Sequence, residues 1–107
     1  MTKIEFFTED ERITGFSVSG HSGYAEAGSD IVCAAISAAV AMAEATITDV
    51  CGAKAKVRVK EEDARITLTL PTSCDEEESV QACLAGMMLY LCSLRDEYPD
   101  NVEVLEV

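Results

Sequence analysis

From Ile31 to about Val50 the chain reads as one long helix that is apolar on nearly every side, and this feature limits its possible folds more than any other. Ile31, Val32, Ile36, Val40, Met42, Ile47 and Val50 do not fall on one narrow stripe, and alanine fills much of the space between them. A helix of this kind must be covered on more than one face. Either the rest of the domain wraps it or a second subunit does. A membrane span is not expected: the apolar stretch from Ile31 to Ala43 is 13 residues and includes Ser37, short of the roughly 20 that cross a bilayer.

The flanking segments predict the sheet such a helix would pack on. Lys3 to Thr8 and Arg12 to Ser19 read as two strands around the Thr8-Glu9-Asp10-Glu11 turn. Ala53 to Lys60 alternates cleanly, with Ala53, Ala55, Val57 and Val59 facing inward and Lys54, Lys56, Arg58 and Lys60 outward. Glu61-Glu62-Asp63 turns the chain, and Arg65 to Leu70 returns with Ile66, Leu68 and Leu70 inward. A second helix opens at Glu76-Glu77-Glu78, where negative charge suits the helix dipole. It continues with a 3.6-residue apolar period through Val80, Cys83, Leu84, Met87, Met88, Leu91 and Leu94. Tyr98-Pro99-Asp100-Asn101 ends it, and Val102 to Val107 is a last strand. The expected fold is a single α+β domain spanning residues 1–107. It is a two-layer ββαββαβ sandwich, with a mostly antiparallel five-stranded sheet carrying two helices on one face.

Charge and cysteine usage narrow the function. The formal net charge is -12 over 107 residues. A chain this acidic repels phosphates, so direct nucleic-acid binding is not expected, and the lysine stripe reads as a solvated strand face. A basic protein partner fits better. Five cysteines with no Cys-x-x-Cys pair, and one histidine, leave the usual structural zinc patterns without ligands, so no metal or cofactor is expected. Met1 to Glu11 lacks the apolar core of a secretory signal, which predicts a reducing cytoplasm and free thiols.

Chemistry concentrates in one place. Gly20, Gly23 and Gly28 mark a loop with unusual backbone freedom, and the chain's one histidine, His21, lies in it. Cys33 follows twelve residues later, near the start of the long helix. The helix terminus and a neighbouring imidazole both favour a thiolate there, and unpaired helix-terminal N–H groups could hold an oxyanion. Helical side chains lean toward the N-terminus, so Cys33 should point back at the loop. Asp30 could orient the imidazole or simply cap the helix, the commoner role for an aspartate there. Ser37, one turn beyond Cys33, could hydrogen-bond in the site or back to its own helix. Tyr24 could contact substrate or pack, and the glycines could close over a peptide or only turn the chain. A lone cysteine in an alanine-rich helix is more often a small buried hydrophobe. Cys51, Cys83 and Cys92 read that way, whereas Cys74 sits in a loop.

The stretch Gly20-His21-Ser22-Gly23-Tyr24-Ala25-Glu26 to Gly28, followed by Asp30-Ile31-Val32-Cys33-Ala34-Ala35-Ile36-Ser37, resembles the signature of the ribosomal-processing cysteine protease family, Prp. Ser22 stands where that family commonly has alanine. The resemblance implies a catalytic dyad of His21 and Cys33, with Asp30 and Ser37 at the other polar site positions. It implies an endopeptidase that removes a short N-terminal extension from a basic large-subunit ribosomal protein, L twenty-seven, cutting after paired aromatic residues. It also implies a homodimer, which would cover the over-apolar first helix. The rival readings are a non-catalytic ribosome-associated or assembly module and a cysteine-based redox enzyme. The redox reading would be supported by a Cys-x-x-Cys pair, and the sequence has none.

Overall fold

The structure is a computed structural model that describes residues 1–26 and 28–107; within the expected loop, only Ala27 lies outside the described residues. In chain order it places β1 at Thr2–Glu9, β2 at Arg12–Ser19 and α1 at Ile31–Ala45, extended by a π-helical turn at Thr46–Val50. β3 follows at Lys56–Lys60, then β4 at Arg65–Thr69, α2 at Glu77–Glu97 and β5 at Val102–Glu106. The sheet order is β3-β4-β2-β1-β5. Three pairings are antiparallel, and β1 pairs with β5 in parallel, so the sheet is mixed.

Strand alternation builds the inner face. Phe6 pairs with Phe16, Phe16 with Leu68 and Ile4 with Val18, so one row of large apolar side chains crosses the sheet. Val32, Ile36, Val40 and Ile47 of the first helical run, with Val80, Leu84 and Leu91 of α2, close over this row into one core. The outer face is polar. Arg65 donates to Ser17 Oγ at 2.8 Å and lies 4.0 Å from Glu5, while Lys56 and Arg58 are exposed.

Two expectations are corrected. β3 begins at Lys56, not Ala53, because β4 offers no partner before the Lys56–Thr69 pair. Beyond Thr69 the Leu70 N–H turns to Thr14 O (2.9 Å), and the Ala53 N–H bonds back to Ile47 O (2.9 Å). The first helical run spans Ile31–Val50 as expected, but counting only its uncharged stretch understated its apolar length. Ile31–Val50 is 20 residues with a mean hydropathy of 1.8, long and apolar enough by composition to cross a bilayer. Here one stripe of it packs into the core. The domain does not wrap the rest: Met42 is 70% exposed and Val50 79%.

Candidate active site

β2 delivers the chain to the loop through Gly20, where the backbone needs a residue without Cβ. Its φ is +82°, and a Cβ there would stand 2.7 Å from Met1 O. Gly23 and Gly28 also have positive φ. The loop then folds around a single carboxylate. Asp30 is 8% exposed and caps α1, with Oδ1 accepting from the N–H groups of Val32 (3.0 Å) and Cys33 (2.9 Å). Its Oδ2 accepts from the Ser22 hydroxyl and from the N–H groups of Tyr24 (3.2 Å) and Ala25 (3.3 Å). Burial alone would raise this carboxyl's pKa; the hydrogen bonds from Ser22, Cys33 and Ala25 outweigh it and hold the group well below the usual carboxylate range.

Cys33, the third residue of α1, is half-buried and its sulfur points back to the loop. The Ser22 N–H donates to Sγ at 3.3 Å, and the Ser22 hydroxyl oxygen lies 3.4 Å from Sγ. Asn101, in the turn before β5, donates to Ser22 O at 3.0 Å and ties the loop to the far end of the chain. His21 is exposed. His21 and Cys33 both line two hollows, of about 620 and 430 Å³, so they stand where the two meet. Among the described residues, neither Cys33 nor Asp30 hydrogen-bonds the imidazole; the bonds to both run to Ser22 and backbone amides. Ser37 is exposed on the wall of the larger hollow, and among the described hydrogen bonds its hydroxyl makes none. Tyr24 is exposed, and its ring meets Tyr98 edge-on at 5.3 Å.

The larger hollow is a groove between α1 and the β3–β4 hairpin. Val18, Ile36, Val40, Val59 and Ile66 form its apolar wall, and Glu44, Lys60, Glu61 and Arg65 supply the charge along it. A groove of this shape suits an extended peptide with bulky apolar side chains beside the sulfur.

One chemical expectation changes. The amides of Val32 and Cys33 are committed to the Asp30 cap, and the Ala34 N–H bonds Asp30 O (3.0 Å). These first-turn donors are therefore not free to hold an oxyanion. The residues that sequence reasoning passed over are Ser22 and Asn101. Ser22 had only its place beside His21 as a signal, and Asn101 read as a turn residue. Among the described residues, no group of three or more His, Cys, Asp or Glu side chains is placed to hold a metal ion.

Known proteins share the family and the fold. The family model described as cysteine protease Prp matches residues 1–103. Ribosomal processing cysteine protease Prp of Bacillus subtilis (strain 168) is 29% identical over 99 residues, covering 91% of this chain and 88% of its own. The crystal structure of the essential ribosomal processing protease Prp from S. aureus, with a covalently linked product peptide, superposes with a TM-score of 0.90 at 22% identity over 100% of both chains. SMU.848 from Streptococcus mutans superposes with a TM-score of 0.84 at 22% identity, over 100% of this chain and 96% of its own. The two structures share the α+β fold. Matched by the family model over nearly its whole length, the chain belongs to the cysteine protease Prp family.

Proposed function

We propose that the protein is a single-domain cytoplasmic endopeptidase that removes the N-terminal extension of the large-subunit ribosomal protein L twenty-seven, using His21 and Cys33. One observation carries the reading: the chain's one imidazole and a thiol at a helix start line the same two hollows, one of them an apolar groove. The extension lies extended in that groove, its bulky side chains against Val40, Val59 and Ile66. The chain's charge of -12 draws a basic substrate toward it.

In this mechanism His21 takes the Cys33 proton. The thiolate attacks the scissile carbonyl carbon while the Gly20–Gly28 loop closes over the peptide. His21 then gives its proton to the leaving amine, and water releases the acyl group from sulfur. Asp30 holds the loop against the helix start, and Ser37 faces the bound peptide. The protein works as a homodimer. The exposed α1 face around Met42, with the roughly 570 Å³ groove between Ala38, Met42, Gly86 and Tyr90, supplies an apolar surface for a second copy.

The test is mass spectrometry of the extended ribosomal protein after incubation with wild type, Cys33→Ala and His21→Ala. Wild type is expected to trim the substrate and both variants to leave it whole. Cleavage by Cys33→Ala ends the proposal. An untouched substrate that still binds both forms equally favours a non-catalytic ribosome-associated module.

A further inference from the structure

We infer that the Ser22 hydroxyl is a positioning group that holds the Cys33 sulfur in its protonated form in the free protein. Ser22 is 1% exposed, and its carbonyl is fixed by Asn101. A serine hydroxyl has one hydrogen and two lone pairs. Asp30 keeps its charge, for the reasons given above, so it can only accept, and the Ser22 hydrogen goes to Oδ2. The Tyr24 N–H, shared with Asp30 Oδ2, reaches one lone pair of the hydroxyl oxygen at 3.3 Å. The other faces Cys33 Sγ at 3.4 Å, and with the hydroxyl hydrogen spent on Asp30 this contact is a bond donated by S–H.

Ionisation changes that balance. When the Cys33 proton leaves, the S–H bond is lost and the charged sulfur faces an oxygen lone pair. Relief requires the Ser22 hydroxyl to turn from Asp30 to the sulfur, breaking a bond to a carboxylate. The Ser22 N–H donates to Sγ in both states, more strongly to the thiolate, and it is kept when the hydroxyl is removed. Removing the hydroxyl while keeping this N–H therefore favours the thiolate. The other charged groups around the sulfur are His21 and Asp30 in the loop region, Glu44 on α1, and Lys60, Glu61 and Arg65 on the hairpin. Of these only Asp30 loses a bond when the Ser22 hydroxyl is removed, and it keeps the four amide donors of Tyr24, Ala25, Val32 and Cys33.

The experiment is the pH profile of iodoacetamide alkylation at Cys33, followed by site-resolved mass spectrometry on the full chain. Ser22→Ala is expected to lower the midpoint by about half a unit, which is about threefold more thiolate well below it. Ser22→Thr, which keeps the hydroxyl, is expected to retain the wild-type midpoint. A Ser22→Ala midpoint that is unmoved or raised overturns the inference. Should Ser22→Ala lose its fold by circular dichroism, Ser22→Gly, which also removes the hydroxyl and keeps the N–H, decides: a lowered midpoint supports the inference and an unmoved or raised one overturns it. The importance for turnover rests on the peptidase proposal, but alkylation needs no cleavage, so the two can fail separately.

Discussion

Replacing Gly20 with alanine separates a structural requirement for this glycine from a merely convenient one. Two independent penalties meet there. The residue sits at φ +82°, where a Cβ crowds its own backbone at a cost of about 1–2 kcal/mol. The new Cβ would also stand 2.7 Å from Met1 O, a backbone atom at the start of β1. That strand end is held by the Thr2 N–H on Asn101 O (2.9 Å) and by the parallel pairing of Thr2 with Val102. Relieving the clash moves packed backbone, which costs about 1–3 kcal/mol more. The sum, about 2–5 kcal/mol, corresponds to a fall in melting temperature on the order of 10 °C or more for a chain this size. Gly23 is the control: its φ is +73°, but a Cβ there would meet nothing within 4 Å, so Gly23→Ala carries the strain alone. Thermal unfolding by circular dichroism should rank wild type above Gly23→Ala above Gly20→Ala. Gly20→Ala should also lose most peptide cleavage, because His21 follows it directly. If both variants melt together within about a degree, the close approach to Met1 does not matter and this account of the loop's anchor is wrong.

Asp30→Asn should flatten the acid limb of stability. The folded carboxyl titrates below its ordinary value, so its contribution is complete above the ordinary carboxylate range and is lost as pH falls through that range and below; urea melts from pH 6 downward check it, and equal slopes for both proteins would refute it. If the proposed dimer forms through this face, Met42→Asp should convert it to a monomer by light scattering while leaving the fold intact, since Met42 is 70% exposed; an unchanged mass removes that face from the interface. Ile36→Ala should cost about 2–5 kcal/mol in chemical denaturation, because Ile36 is buried in the core as well as on the groove wall; a loss under about 1 kcal/mol would mean that the core is not closed there.

The two hairpins were legible because strand alternation is a local signal: Ile66 and Leu68 sit two apart on β4, paired with Val59 and Val57 two apart on β3. The parallel docking of β5 beside β1 was not, since nothing within Val102–Val107 names its partner. The first helix was legible as over-apolar but not as half-covered. Burial of Val32, Ile36, Val40 and Ile47 with exposure of Met42 and Val50 depends on how far the sheet reaches.

The site shows a different limit, one of counting. A helix start offers only a few unpaired N–H groups, and an aspartate cap takes some of them. Reading Asp30 as the cap and the same terminus as an oxyanion cradle spends one set of donors twice, and the hydrogen bonds to Val32 and Cys33 show which use prevails. The conflict was present in the sequence as Asp30-Ile31-Val32-Cys33. Its resolution shifts the search for oxyanion donors to the glycine loop, where the Ser22 N–H already points at the sulfur. The Asp30 network and the Gly20 turn then serve one end: they fix the path of a loop whose Ser22 amide faces the Cys33 sulfur.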